Sequence, residues 1–221
     1  MQDVSAVILD LDGLMIETER VARDAWRRAA SDLGHTMGDD LFAHMTGRRP
    51  EDYQEIVLDA LGKDFPYQDV KQRRDTYLRE AIDQEAIEAR PGLFDLLKTL
   101  DRFALDVAIA TSGHRDFTLR KLSAIGLDDS FETIVCGNEV EHGKPAPDIF
   151  LEAARRLDVP PSRCVVLEDS DAGARAAHAA GMRVIVVPEF KEPAEDVLNT
   201  AWQVLPSLHA AATFLREELK E

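Results

Sequence analysis

The stretch Ala6-Val-Ile-Leu-Asp10-Leu-Asp12-Gly13-Leu14, near the start of the chain, decides the fold. Four apolar residues lead directly into two carboxylates that stand two positions apart, and a glycine follows them. A short apolar run of this kind is typical of a buried strand. A charge at the end of a buried strand is costly unless another group compensates it. The sequence therefore predicts a cation close to Asp10 and Asp12.

Four more apolar runs along the chain share the character of this first one. The five predicted strands are residues 5–10, 105–110, 133–136, 164–168 and 183–187. Their continuous apolar character is typical of parallel strands that are covered on both faces. Helical patterns separate them, at residues 93–100, 114–125, 147–157 and 171–180. This alternation predicts an α/β fold with a doubly wound parallel sheet, a Rossmannoid core.

The interval between the first and second predicted strands has a different composition. It carries helical patterns and no convincing strand, the patterns being residues 19–33, 40–45, 51–61 and 67–82. Pro91, which restricts the backbone and can open a helix, closes the interval. We therefore predict two domains: an α/β catalytic core of residues 1–14 and 89–221, and a helical cap domain of residues 15–88 inserted after the first strand. Beyond residue 187 we expect a loop and short helix, an edge strand at residues 203–204 and a closing amphipathic helix.

The charge and composition of the chain exclude several classes of protein. With 26 Lys and Arg against 42 Asp and Glu, the formal charge of −16 argues against binding to nucleic acid or to an anionic membrane. No apolar run approaches the roughly 20 residues that span a bilayer, and the amino terminus lacks a basic leader region. Cys136 and Cys164 lie in apolar runs, as buried free thiols of a reducing compartment do. We expect a cytoplasmic monomer.

Polar residues stand at the carboxyl ends of three predicted strands. Asp10 ends the first strand, Thr111 and Ser112 follow the second, and Glu168 and Asp169 end the fourth. The carboxyl ends of parallel strands meet at one edge of the sheet, where such folds bind ligands. Carboxylates gathered there repel one another unless a cation joins them, and oxygen ligands suit Mg²⁺. The sequence therefore predicts a magnesium site.

A lysine belongs to the same predicted site. Lys144 lies in the string Gly143-Lys-Pro-Ala-Pro-Asp148, where two prolines restrict the backbone beside it. A lysine, a magnesium ion, a hydroxyl and a carboxylate nucleophile together suit phosphoryl transfer, because the charge on the transferring group must be neutralised.

Four motifs in this order resemble the haloacid dehalogenase-like superfamily. They are Asp-x-Asp-Gly at residues 10–13, Thr-Ser at 111–112, Lys-Pro-x-Pro-Asp at 144–148 and Glu-Asp-Ser at 168–170. The resemblance spans nearly the whole chain. The insertion after the first motif is similar to the helical cap of the subgroup that holds β-phosphoglucomutases and sugar-phosphate phosphatases. The strings KPAPDIF at 144–150 and LEDSDAG at 167–173 resemble that subgroup in particular.

The resemblance assigns chemical roles to three residues. Asp10 is expected to attack phosphorus and form an aspartyl-phosphate, which divides one difficult displacement into two easier ones. Asp12 is expected to protonate the leaving oxygen and then to activate water. The dehalogenases of the superfamily lack this second acid, so its presence favours phosphate chemistry. Lys144 is expected to bridge the nucleophile and the phosphate.

The resemblance also implies a set of ligands for the metal and for the phosphoryl group. The metal is expected to be held by a carboxylate oxygen of Asp10, the backbone carbonyl of Asp12 and the side chain of Asp169, with Glu168 binding it or adjoining it. The phosphoryl oxygens are expected to lie against the hydroxyl of Thr111 and the backbone N–H groups near Leu11 and Ser112. A solvated Asp-Gly turn is the alternative for the first motif, but it leaves the other three motifs unexplained.

The predicted cap contains candidates for binding the rest of the substrate. Residues 46–50 (TGRRP) interrupt two helical patterns, and cap loops of this kind in the resembled family reach the leaving group. Gly47 permits a close approach, and the forked donors of Arg48 and Arg49 suit sugar hydroxyls or a second phosphate. Two solvated arginines are the alternative. Arg73 falls near the place where the family often carries a basic specificity residue.

Three functions stay open at this point. β-Phosphoglucomutases carry a histidine early in the first cap helix, and residues 19–23 (ERVAR) contain none, which favours a phosphatase over a mutase. A phospho-accepting regulatory module, as in response-regulator receivers, is the third, although such modules lack the second acid and the cap. We expect a Mg²⁺-dependent phosphatase that acts on a small phosphate monoester, a sugar phosphate foremost.

Overall fold

Six parallel strands form the sheet at the centre of the protein. The computed structural model describes residues 4–45, 48, 50–84, 87–189 and 192–219. The strands are β1 (Ala6–Leu9), β2 (Asp106–Thr111), β3 (Thr133–Cys136), β4 (Cys164–Glu168), β5 (Arg183–Val186) and β6 (Gln203–Val204). They pair in the order β3-β2-β1-β4-β5-β6. The doubly wound parallel sheet predicted from the sequence is confirmed.

Ten helices surround or extend from the sheet in the part of the chain that the structure describes. Four follow β1 directly: α1 (Glu19–Ser31), α2 (Asp39–Met45), α3 (Tyr53–Leu61) and α4 (Tyr67–Asp83). Six more alternate with the remaining strands: α5 (Leu93–Arg102), α6 (Arg115–Ala124), α7 (Asp148–Leu157), α8 (Asp171–Ala179), α9 (Glu195–Thr200) and α10 (Leu208–Glu218). None of the helices in the described ranges is both long enough and apolar enough to cross a membrane.

The central strand explains the continuous apolar run that precedes Asp10. All four residues of β1 are fully buried. Val7 and Leu9 belong to the apolar cluster that includes α5 and α10, whereas Ala6 and Ile8 belong to the cluster that includes α7 and α8. Both faces of β1 are therefore covered, and an alternating pattern would place polar groups inside one of the two clusters. The strand is thereby fixed at the middle of the sheet.

The helices α1–α4 have an apolar core of their own. Its residues all come from this insertion and include Trp26, Phe42, Val57, Phe65, Tyr67 and Val70. The two chain segments that join the insertion to the sheet run side by side: Ile16 forms an antiparallel bridge with Ala89. The Arg90 N–H also donates to the carbonyl of Met15 at 2.8 Å. The helical insertion is confirmed, and the domain boundaries at residues 14/15 and 88/89 stay a prediction.

The strand register brings the predicted site residues level with one another. Leu9 pairs with Ile109 of β2 and with Leu167 of β4. Asp10, the next residue, is thus level with the penultimate residue of β2, Ala110, and with the last residue of β4, Glu168. Its N–H donates to the carbonyl of Leu167 at 3.1 Å. The carboxyl edge of β1, β2 and β4 therefore forms one polar surface. Cys136 and Cys164 are buried free thiols, as predicted.

Candidate active site

A buried lysine joins the carboxylates of two strands. The Lys144 Nζ lies 2.5 Å from Asp10 Oδ1 and 2.6 Å from Glu168 Oε1, and it donates to the carbonyl of Ala110 at 3.2 Å. The exposed fractions of Lys144, Asp10 and Glu168 are 2%, 5% and 1%. Burial lowers the pKa of Lys144, but the two carboxylates raise it by more, so the ammonium stays charged. The structure thus brings together three residues that the sequence predicted at one edge of the sheet.

Glu168 is held by bonds to both of its oxygens. While Oε1 faces Lys144, Oε2 accepts from the backbone N–H groups of Asp169 and Ser170, at 2.9 and 2.8 Å, and from the Ser170 hydroxyl at 2.9 Å. Gly173 of α8 packs against this carboxylate so closely that a Cβ at position 173 would lie 1.7 Å from Glu168 Oε1. Glu168 is therefore a fixed group, and Gly173 provides the space it occupies.

Asp12 is held by a separate pair of donors. The hydroxyl of Thr18, just before α1, and the ammonium of Lys121, in α6, both lie 2.5 Å from Asp12 Oδ1. Burial raises the pKa of Asp12, but Lys121 and then Thr18 lower it by more, so that the pKa falls below its ordinary value. The sequence analysis missed both donors. Lys121 gave no signal because a lysine in an amphipathic helix usually lies at the surface.

The two other carboxyl groups of the site lack full compensation. Burial raises the pKa of Asp10 to about 7, although the charge of Lys144 opposes this and that of Glu168 adds to it. Burial also raises the pKa of Asp169 well above its ordinary value, and the neighbouring charges of Glu168 and Asp10 add to the effect. One lysine is not enough for three carboxylates. The site therefore favours the approach of further positive charge.

The same carboxylates fit a divalent cation. Asp10, Glu168 and Asp169 each offer one oxygen, and these oxygens lie within 4.8 Å of one another. A hard, all-oxygen donor set suits Mg²⁺. Gly13, with φ of +90°, keeps the space beside this set open, because a Cβ there would lie 2.1 Å from Asp169 Oδ2. The side chain of Asp12 lies outside the set, and its predicted contribution to the metal is the backbone carbonyl.

A cavity of about 340 Å³ lies between this polar edge and the helices α1–α4. Thr111, Ser112 and Arg48 line it, as the sequence analysis expected. Leu11 is fully buried and does not line it, which is compatible with a role for its backbone only. The other predicted residues of the 46–50 loop, Gly47 and Arg49, lie outside the described residues. The cavity also receives cations that the sequence analysis did not name, including Arg23, Lys71, Arg74 and Arg79.

Arg73 does not line the cavity, whereas the next residue does. The Arg73 side chain is half exposed, with Nη1 4.0 Å from Asp32 Oδ2. Arg74 is buried, stacks over the ring of Trp26 at 4.6 Å and lies 2.9 Å from Asp75 Oδ1. One residue turns a helix by about 100°, so a register displaced by one selects the wrong side chain. The substrate contact of Arg73 therefore stays a prediction, and Arg74 is the residue of this pair that lines the cavity.

The polar edge combines a buried lysine with a set of carboxylate oxygens that fits a divalent cation. The family model described as haloacid dehalogenase-like hydrolase matches residues 4–181. The chain belongs to this family, and the resemblance that the four motifs indicated is confirmed.

Named relatives place the protein among the phosphatases of the family. A phosphorylated carbohydrates phosphatase of Thermotoga maritima is 31% identical over 182 residues, which cover 82% of this chain and 84% of that protein. The structure of CbbY from Rhodobacter sphaeroides in complex with xylulose-1,5-bisphosphate is 29% identical with a TM-score of 0.81, covering 93% of this chain and 95% of that one. A β-phosphoglucomutase from Clostridium difficile shares the fold at 23% identity and a TM-score of 0.81, with 98% and 97% of the two chains covered. The protein is accordingly an enzyme of the phosphatase type.

Proposed function

We propose that this protein is a Mg²⁺-dependent phosphatase that hydrolyses a small phosphate monoester, preferably a phosphorylated sugar, through an aspartyl-phosphate on Asp10. The observation that carries the proposal is the separate placement of two carboxylates on one short segment. Both line the cavity, but Asp10 pairs with Lys144, whereas Asp12 is held by Lys121 and Thr18. Two acids two residues apart thereby have different surroundings and are suited to different tasks.

In the first half-reaction, a carboxylate oxygen of Asp10 attacks phosphorus. A bond forms between that oxygen and phosphorus while the bond from phosphorus to the leaving oxygen breaks. Asp12 must carry a proton at this step, although Lys121 favours its ionised form, and it gives that proton to the leaving oxygen. Lys144 holds Asp10 in place and offsets the negative charge of the transferring group. The hydroxyl of Thr111 and the backbone N–H of Ser112 would cradle the phosphoryl oxygens.

In the second half-reaction, water attacks the aspartyl-phosphate. Asp12 takes a proton from that water, a bond forms between the water oxygen and phosphorus, and the bond to Asp10 breaks. Inorganic phosphate leaves, and both carboxyl groups return to their starting states.

The metal would be held by Asp10, by the backbone carbonyl of Asp12 and by Asp169, with Glu168 beside them. When bound, Mg²⁺ supplies positive charge against the phosphoryl oxygens. The raised pKa of Asp169 supports this placement, because a cation would relieve the repulsion that raises it. Mg²⁺ is preferred to larger cations because few carboxylates and the substrate's own oxygens suffice for it.

The cavity supports a polar, anionic substrate. Its cap side carries Arg48, Lys71 and Arg74, and Asp75 pairs with the last two at 2.8 and 2.9 Å. Asp75 offsets only part of this charge, and Arg74 Nε has no hydrogen-bond partner within the described part of the chain. These donors fit the hydroxyls or a second acidic group of a phosphorylated sugar. The phosphatase from Thermotoga maritima is named for phosphorylated carbohydrates, and the CbbY structure holds a sugar bisphosphate; both compounds are of that kind.

The test is phosphate release from a panel of phosphate esters, with Mg²⁺ and with a chelator. The panel contains sugar monophosphates, sugar bisphosphates, phosphoglycolate and nucleotides. We expect metal-dependent release that falls by roughly 10³-fold or more in Asp10→Asn, because the nucleophile is lost. Isomerised glucose 1-phosphate without free phosphate would instead establish a mutase. Uptake of a single phosphate without turnover would establish a regulatory module. Our expectation of a cytoplasmic monomer rests on composition, and size-exclusion chromatography tests the oligomeric state.

A further inference from the structure

Lys121 is a buried cation that the sequence gives no reason to place in the site. It lies in α6, is 7% exposed, and lines the cavity beside Asp12. Burial of an ammonium group is costly unless a counter-charge accompanies it. Its Nζ lies 2.5 Å from Asp12 Oδ1. The chain thus carries a second buried lysine at the carboxyl edge, on a different carboxylate from the one that Lys144 contacts.

The two oxygens of Asp12 have different surroundings. Oδ1 accepts from Lys121 in α6 and from Thr18 just before α1. Oδ2 lies on the side of Gly113: a Cβ built there would be 3.6 Å from Oδ2 and 3.4 Å from Thr111 Oγ1. Oδ2 and the Thr111 hydroxyl, which would cradle the phosphoryl group, thus both border Gly113, whereas the two donors contact Oδ1.

We propose that Lys121 is a positioning residue, which holds Asp12 through Oδ1 so that Oδ2 is the oxygen that exchanges protons with the leaving group and with water. This inference rests on the proposed function. Thr18 alone donates one hydrogen bond and leaves the carboxylate free to rotate about it. A second donor on the same oxygen, anchored in a different helix, fixes the carboxylate plane. Lys121 itself touches neither substrate nor metal in this arrangement.

The proposal predicts a loss of rate that depends on the leaving group of the substrate. Proton donation by a positioned acid accelerates a reaction by about 10²–10⁴-fold when the leaving group is a poor one. A sugar alkoxide needs that proton, whereas p-nitrophenolate leaves as a stable anion. Loss of the positioning contact should therefore slow the hydrolysis of a sugar phosphate far more than that of p-nitrophenyl phosphate.

The experiment compares kcat for the two esters in Lys121→Met and in the full-length parent protein. We expect kcat for the preferred sugar phosphate to fall by about 10²-fold and kcat for p-nitrophenyl phosphate to fall less than about fivefold. Arg120→Met is the matched control, since Arg120 is the adjacent cation of α6, is half exposed and pairs with Asp83 at 3.1 Å outside the cavity. It should leave the ratio of the two rates unchanged.

A double-mutant cycle with Asp12→Asn separates positioning from a general structural role. If Lys121 acts through Asp12, Lys121→Met should cause no further loss in the Asp12→Asn protein. Equal losses on both esters, or losses that multiply in the double mutant, would overturn the inference. A circular dichroism spectrum checks folding, and Lys121→Gln, which keeps a donor without the charge, replaces Lys121→Met if that variant does not fold. If the parent protein hydrolyses neither ester, the proposed function fails together with the Lys121 inference. If the parent protein hydrolyses both esters and Lys121→Met has the same ratio of the two kcat values, only the Lys121 inference is refuted.

Discussion

Replacement of Gly173 by alanine tests how closely α8 is fitted to the site. In the interior of an ordinary helix, this change stabilises a protein by about 1 kcal/mol, because alanine has the higher helix propensity. In this protein the new Cβ would lie 1.7 Å from Oε1 of Glu168 and 1.9 Å from its Cδ. Both distances are far below contact, so the carboxylate of Glu168 must move.

The cost of that movement follows from the bonds that hold Glu168. Its carboxylate forms an ion pair with Lys144 at 2.6 Å, and its other oxygen accepts from two backbone N–H groups and one hydroxyl. Breaking a buried ion pair of this kind costs about 3–5 kcal/mol. After subtraction of the gain in helix propensity, we expect Gly173→Ala to lower the free energy of unfolding by about 2–4 kcal/mol.

Urea denaturation measures this change in two backgrounds. In the Glu168→Ala protein the obstructing carboxylate is absent, so Gly173→Ala should stabilise that protein by about 0.5–1 kcal/mol. The change in the free energy of unfolding caused by Gly173→Ala should therefore have opposite signs in the parent protein and in Glu168→Ala. If Gly173→Ala stabilises the parent protein, or has the same effect in both backgrounds, then Glu168 is not held as we describe.

Three further predictions concern other parts of the molecule. Gly13→Ala should destabilise the protein by about 1–3 kcal/mol more than Gly34→Ala. Both glycines have positive φ, but a Cβ built at Gly13 has Asp169 within 4 Å, whereas a Cβ built at Gly34 has no neighbour within that distance. Equal urea midpoints for the two variants would contradict this. Mg²⁺ at about 100 times its dissociation constant should stabilise the protein by about 2.7 kcal/mol, measured as a rise in melting temperature in a thermal-shift assay. Asp169→Asn should remove most of that rise. If Mg²⁺ raises the melting temperature of Asp169→Asn as much as that of the parent protein, Asp169 is not a ligand of the metal. Hydrogen bonds from two arginines lower the pKa of Glu152 from 4.5 to about 2. The ionised Glu152 therefore stabilises the protein above about pH 4.5, and this contribution is lost as the pH falls towards 2. Its size is below about 1 kcal/mol, because the ion pairs lie at the surface. Stability curves of Glu152→Gln and the parent protein should differ at pH 7 and converge at the acid end.

The parts of the fold that the sequence predicted well are those where one local pattern decides the structure. The short apolar run before Asp10 indicates a strand that is covered on both faces, and β1, with all four residues buried, is found there. The polar groups at the strand ends then placed Asp10 and Glu168 together, because parallel strands share one carboxyl edge. The Lys-Pro-x-Pro-Asp motif added Lys144 to them. These residues were predictable without any knowledge of packing.

The parts that the sequence did not reveal depend on how one element meets another. Lys121 resembles any lysine on an amphipathic helix, and only the packing of α6 against the site turns it towards Asp12. Gly173 resembles a weak point in α8, and its purpose becomes visible only from its distance to Glu168. The sequence named Arg73, whereas Arg74 lines the cavity, because a periodic pattern does not fix the rotation of a helix within one residue.

The paired segments at Ile16 and Ala89 mean that residues 17–88 leave the sheet and return to it at neighbouring points. The insertion adds little to the free-energy cost of bringing its two ends together at the sheet, because that cost grows only with the logarithm of the number of residues between them. A side branch attached in this way can be lengthened, shortened or exchanged while β1 keeps its register with β2 and β4. The protein can therefore acquire a different pocket wall without rebuilding the strand that carries Asp10 and Asp12.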